Sequence, residues 1–213
     1  HTVIAYDQRD SGGAVNDSSA YDRGDLAADA AQLLDSLDVA RAHVFGTSLG
    51  GTIAQALAVR HAARVSCLIL NNTFDLRLSS AQASPFAIAE AARFRAAGEA
   101  GIRPLAELSL PAPYLDEHPE LLDWFRHPAR RTPEQIARRA GLLTGLPDSP
   151  AAITCPTLVV VGSADRTVPP ERSADLAQSI PGADLVEMPG VGHLAPRQAP
   201  EVLADIVTGF LAE

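Results

Sequence analysis

Short, continuous apolar runs alternate along this chain with stretches whose apolar residues recur every three or four positions. The runs are "TVIAY" (2–6), "AHVFG" (42–46), "SCLIL" (66–70), "PTLVVVG" (156–162) and "ADLVEMP" (183–189). They are rich in Val, Ile and Leu and do not alternate with polar residues, so they read as strands buried on both faces. Between them, residues 26–39 carry apolar side chains at 26, 30, 33, 34 and 37, a helical stripe. "GTIAQALAVRHA", "PPERSADLAQSI" and "APEVLADIVTGFLAE" also read as helices. Strands alternating with helices predict an α/β fold, a mostly parallel sheet with helices on both faces.

Residues 74–149 break this rhythm with helix signals and no convincing strand, predicting a helical cap inserted into a core of residues 1–73 and 150–213. "SPFAIAEAARFRAAG" offers Ser84 as N-cap, Pro85 in the first turn and Gly98 at the end. Thr132 and Gln135 are spaced for a capping box. The Pro-rich, aromatic stretch "PAPYLDEHPELLDWF" lies between them. Cap residues Phe86, Phe94, Tyr114, Trp124 and Phe125 are candidates to line an apolar substrate pocket, or simply to pack the cap.

Composition narrows the chemistry. Formal charge is −9, and the cluster Arg126, Arg130, Arg131, Arg138 and Arg139 reads as a solvated helix face. Nucleic acid is therefore not an expected partner. All 17 basic residues are Arg, so neither a Schiff-base lysine nor a P-loop lysine is available. No apolar stretch approaches the roughly 20 residues that span a bilayer, so no membrane partner is expected. Cys67 and Cys155 sit in apolar runs and read as buried free thiols. That fits a reducing compartment, and a cytoplasmic location is the expectation.

The decisive stretch is "HVFGTSLGG", which contains Gly46-Thr47-Ser48-Leu49-Gly50 between a strand and a helix. A G-x-S-x-G pentapeptide in that context places the serine on a strained strand-to-helix turn. Side chains at both flanking positions are expected to collide, which would require glycine at each. The helix N-terminus then lies under the serine, where free N–H groups favour a developing oxyanion. A serine hydroxyl still needs a base held by an acid. Asp165, in "VVVGSADRTVPP", and His193, in "MPGVGHLAP", each follow a predicted strand. Ser48, Asp165 and His193 would thus converge at the C-terminal edge of the sheet, where such folds bind ligands. Asp75, after "SCLILNNTF", is the competing acid. His43 and His61 read as structural. His118 and His127 fall in the cap, and no metal-ligand spacing is present. Arg23-Gly24-Asp25 spells an adhesion tripeptide but opens a helix here.

These motifs resemble the α/β-hydrolase superfamily over nearly the whole chain. "YDQRDSG", "GTSLGG", "CPTLVVVGSADRTVP" and "PGVGHLAPRQAPEVLADIVTGFL" are similar to its fourth-strand loop, nucleophile elbow, acid loop and histidine loop. The short cap resembles the enol-lactonase, esterase and perhydrolase group. The resemblance implies that Ser48 attacks, His193 carries the proton, Asp165 orients the imidazole and Leu49 gives an oxyanion N–H. It implies no cofactor, no metal, and a small-molecule ester or lactone substrate. C–C bond hydrolysis or perhydrolysis with the same triad is the alternative chemistry, and a non-catalytic ligand-binding member of the fold is the alternative class. Asp10 stands where the family's D-x-R-G-x-G loop has glycine, and similar variants occur among methyl esterases of aromatic polyketides.

The resemblance also places a strand before residue 1, between "TVIAY" and "AHVFG" in the sheet, with a loop giving the second oxyanion donor. Without it, buried backbone groups would go unpaired at about 1–3 kcal/mol each. An additional N-terminal segment in the native protein is therefore expected.

Overall fold

The structure is a computed structural model, and it describes residues 2–14, 16, 19–128 and 131–212. Among these, four strands form one parallel sheet in the order β1 (Ala42–Thr47), β2 (Val65–Asn71), β3 (Thr157–Gly162), β4 (Asp184–Met188). Helix α1 (Arg23–Ser36) precedes β1, and α2 (Leu49–Arg60) connects β1 to β2. The interval between β2 and β3 holds α3 (Ser80–Ala83), α4 (Pro85–Ala96), α5 (Ile102–Ala106), α6 (Ala112–Glu117), α7 (Leu122–Arg126) and α8 (Pro133–Arg138). Helix α9 (Pro170–Ser179) connects β3 to β4, and α10 (Ala195–Gln198) and α11 (Pro200–Leu211) close the chain.

The continuous apolar runs of the central strands β2 and β3 are explained by cover on both faces. Leu68, Leu70 and Val159 pack with Leu26, Ile53, Leu57 and Leu176 from α1, α2 and α9. Their neighbours Ile69, Leu158 and Val160 point the other way and pack with Leu203, Ile206 and Phe210 of α11. Alternation along β2 and β3 thus sends side chains to two separate cores, each fully buried leucine contributing about 1.5–3 kcal/mol. The outer strands β1 and β4 correct the expectation of burial on both faces, with Phe45 45% and Leu185 47% exposed.

Thr2–Tyr6 corrects the first strand expectation. The segment belongs to no strand; Val3 is 86% exposed, and Ile4 and Tyr6 are exposed too. A strand exists only through a ladder partner. β1, an edge strand of this sheet, pairs with β2 and not with Thr2–Tyr6.

Between β2 and β3, Ala106, Leu110, Leu115 and Leu121 make a small separate core, joined to the segment after β4 by Leu194. Leu76, Leu142 and Leu146, near the ends of the expected insertion, instead pack into the main core. Arg23 holds these ends together. Its fully buried guanidinium donates to the carbonyls of Leu142, Leu76 and Leu78 at 2.9, 3.2 and 3.0 Å. Burial pushes its pKa down to about 10. The Thr132–Gln135 capping box forms, and Gly98 ends its helix at φ 58°. Ser84 occupies the N-cap position of α4 without a side-chain capping bond. Cys67 and Cys155 are free and half-buried rather than buried, with desolvation raising the Cys155 thiol pKa.

The arginine cluster is not one free basic face. Arg126 pairs with Glu99 and Asp123, and Arg138 with Asp10. Arg139 donates to the Arg9 carbonyl at 3.1 Å, and Arg130 lies outside the described residues. No helix among the described residues is long and apolar enough to cross a membrane.

Candidate active site

The ends of β1, β2, β3 and β4 deliver Ser48, Asn72, Asp165 and His193 to the same edge of the sheet. Ser48 stands between β1 and α2 with φ 54° and ψ −123°, a left-handed conformation that costs a non-glycine residue about 1–3 kcal/mol. Neighbouring groups hold it there. Ser48 donates its N–H to the Asn71 carbonyl at 3.0 Å, and its own carbonyl accepts from Thr73 Oγ1 at 2.6 Å. Its Oγ makes no hydrogen bond to a described residue, and Leu49 N–H, first in α2, is likewise undonated.

The two glycines of the pentapeptide have different reasons to be there. A Cβ on Gly46 would lie 2.5 Å from the Gly50 carbonyl oxygen, so the turn cannot close over a side chain. A Cβ on Gly50 would meet nothing within 4 Å, which corrects the expectation of a collision on both sides. Gly50 projects outward from the first turn of α2, and the crowded neighbour is Gly51, whose Cβ would sit 2.5 Å from Thr73 Oγ1. Gly50→Ala should therefore leave stability unchanged or raise it by up to about 1 kcal/mol. Gly46→Ala should lower the thermal midpoint by several degrees, or prevent folding. Parallel thermal melts check both, and equal losses would contradict this account.

Asp165 and His193 are 4% and 6% exposed, and Asp165 Oδ2 lies 2.7 Å from His193 Nδ1. The other oxygen, Oδ1, accepts N–H bonds from Thr167 at 2.8 Å and Val168 at 2.9 Å. A carboxylate so bound has one free direction, and the imidazole fills it. His193 Nε2 makes no hydrogen bond to a described residue. Asp75, the competing acid, is taken by Arg77 at 2.6 Å.

Ser48 and Leu49 line a cavity of about 670 Å³, walled by Phe74, Phe94, Leu105, Leu108, Trp124 and Phe125. Phe86 and Tyr114, expected at the pocket, are not among its lining residues. Phe86 is 55% exposed on α4. Tyr114 is turned away by its bond to the Arg197 carbonyl at 3.1 Å and by the His118 ring. Thr167 and Ser109, which sequence reasoning missed, also line the cavity, with hydroxyls 3.0 Å apart. Ser109 accepts the Leu194 N–H through its carbonyl at 3.3 Å, linking the helical segment to the histidine loop. Among the described residues no group of three His, Cys, Asp or Glu side chains is placed to hold a metal ion.

Asp10 has φ 55°, which explains why glycine is the less strained choice there. Its carboxylate accepts from Arg138 at 2.5 Å and Asn16 at 2.9 Å, and the Arg138 guanidinium holds its pKa far below the usual carboxylate range. This ties the loop after Thr2–Tyr6 to α8.

The sequence profile described as the alpha/beta hydrolase family matches residues 1–206. The chain belongs to the alpha/beta hydrolase family. It is 32% identical over 98% of its length to RutD of Serratia proteamaculans strain 568, a protein provisionally assigned as a carbamate hydrolase, and covers 80% of that relative. It is 31% identical to rhodomycin D methylesterase DauP of Streptomyces sp. strain C5, with 96% of this chain and 79% of the relative covered. The enol-lactonase of Burkholderia xenovorans LB400 superposes with a TM-score of 0.79 at 30% identity, covering 98% of this chain and 80% of that one. Family membership and these relatives make this alpha/beta hydrolase an enzyme of hydrolysis.

Proposed function

We propose that this alpha/beta hydrolase cleaves a carboxylic ester or lactone through an acyl-enzyme on Ser48. The observation that carries the reading is the buried 2.7 Å pair of His193 Nδ1 and Asp165 Oδ2, at the same sheet edge as a left-handed serine on the floor of a cavity. With Nδ1–H donated to Asp165, the tautomer leaves a lone pair on His193 Nε2, the form a general base needs. Ser48 Oγ attacks the acyl carbon as Nε2 takes its proton. The developing oxyanion accepts from Leu49 N–H, backed by the twelve-residue helix α2. The imidazolium passes its proton to the leaving alkoxide. A water, deprotonated by the same nitrogen, then attacks the acyl-enzyme and frees the acid and Ser48. The second oxyanion donor is not assigned to any described residue.

The cavity and the relatives support this substrate class. Apolar walls from Phe94, Trp124 and Phe125 suit an acyl chain or ring. The names methylesterase and enol-lactonase both denote cleavage of an acyl–oxygen bond. We assign residues 74–149 as the cap over this cavity. The unpaired thiols Cys67 and Cys155 support a cytoplasmic setting.

The test is an intact-mass and peptide-mass measurement after exposure to a fluorophosphonate, beside turnover of a p-nitrophenyl ester. One adduct, on Ser48, with ester turnover lost in step, is the expected result. Turnover that survives without a Ser48 adduct would remove the assignment.

A further inference from the structure

Asn72 immediately follows β2 and is completely buried, at 0% exposure. Its backbone has φ 45°, a region where glycine is unstrained and asparagine is tolerated. Every polar group of its side chain is engaged. Nδ2 donates to the carbonyls of Gly192 at 3.0 Å and His193 at 2.9 Å, and Oδ1 accepts the Gly162 N–H at 2.7 Å. Its backbone N–H donates to the Val160 carbonyl at 3.0 Å. The partners fix the amide orientation, because a backbone carbonyl only accepts and a backbone N–H only donates.

These contacts reach both loops that meet in the acid–histidine pair. Gly162 ends β3, and its carbonyl accepts the Asp165 N–H at 3.2 Å. A Cβ on Gly162 would sit 2.3 Å from the Val191 carbonyl, so the histidine loop lies directly on the end of β3. On either side of Asn72, Asn71 accepts from Ser48 N–H and Thr73 donates to the Ser48 carbonyl. Three consecutive residues therefore touch the backbones that carry nucleophile, acid and base, and Asn72 alone spans the last two.

We infer that Asn72 is a positioning residue, whose amide locks the His193 backbone to the end of β3 and so holds the imidazole between Asp165 and Ser48. The inference rests on the reading of Ser48 and His193 given above. Asn72→Gly keeps the left-handed turn and deletes the side chain with its three hydrogen bonds. Asn72→Asp keeps the acceptor for Gly162 N–H but sets a carboxylate oxygen against two carbonyls. Both would be compared with wild type in kcat, KM and the rate of fluorophosphonate labelling, per molecule shown folded by near-UV circular dichroism.

Misplacing a catalytic group by about 1 Å can cost about 100-fold. Asn72→Gly is expected to lower kcat and the labelling rate together by about 10- to 100-fold with KM within about twofold, and Asn72→Asp to lower them further. A purely structural asparagine would lower the melting temperature and leave kcat per folded molecule unchanged. A folded Asn72→Gly protein with wild-type kcat and labelling rate would therefore overturn the inference. If the glycine variant does not fold, the aspartate variant decides by the same criteria. A wild-type protein that takes no label on Ser48 would instead remove the serine-hydrolase reading beneath it, and a wild type that labels beside variants that label equally well isolates the failure to Asn72.

Discussion

Ser48→Ala should reduce kcat for ester hydrolysis by about 10⁴- to 10⁶-fold while leaving the fold intact. The size follows from chemistry: without Oγ no acyl-enzyme forms, and only oxyanion binding and substrate orientation remain. The intact fold follows from the local contacts. Ser48 is held by its backbone, through Asn71 and Thr73, and its hydroxyl makes no hydrogen bond to a described residue. Deleting that hydroxyl leaves no buried partner unsatisfied, the usual source of a large stability loss. The left-handed φ of 54° strains alanine and serine alike. A melting temperature within a few degrees of wild type, zero fluorophosphonate adduct and lost turnover should appear together. Ester turnover that persists in the purified variant would mean another nucleophile does the work.

The pentapeptide could be read because its geometry is local: a strand, a tight turn and a helix must meet at Ser48 whatever surrounds them. The pairing of Asp165 with His193 was legible from chain order, since each follows a strand of one parallel sheet. What could not be read was long-range. "TVIAY" has the composition of a strand, but strand formation depends on a partner that local sequence does not specify. Phe86 and Tyr114 look like pocket residues by type, yet one faces solvent and the other is turned by a single bond to Arg197. Arg23 reads in the sequence only as the opening of a helix. Its burial depends on three carbonyls between 53 and 119 residues away along the chain. Asn72 left a fainter signal. Two adjacent asparagines at the end of an apolar run mark a left-handed turn, because asparagine tolerates that conformation. Nothing local indicates that the amide would reach the histidine loop 120 residues on.

Asp165→Asn should lower kcat by about 10⁴-fold, nearly as much as loss of the nucleophile, although the substitution changes one atom's identity. Asp165 accepts on both oxygens: Oδ1 from the N–H groups of Thr167 and Val168, Oδ2 from His193 Nδ1–H. An asparagine has one acceptor oxygen. Two backbone donors demand that it take the Oδ1 place, so the amide nitrogen is left facing His193. It can only donate, which forces Nδ1 to accept and moves the imidazole proton to Nε2. In the proposed mechanism this is the nitrogen that deprotonates Ser48, and already carrying a proton it could no longer act as the base. Hydrogen bonds are conserved in number, so the melting temperature should change by only a few degrees. Asp75→Asn is the matched control. Its carboxylate serves Arg77 and not the imidazole, so kcat should stay within about twofold of wild type. Steady-state kinetics on the two variants separate the acids directly. If the large loss fell on Asp75→Asn, the 2.7 Å pair would not be the catalytic one.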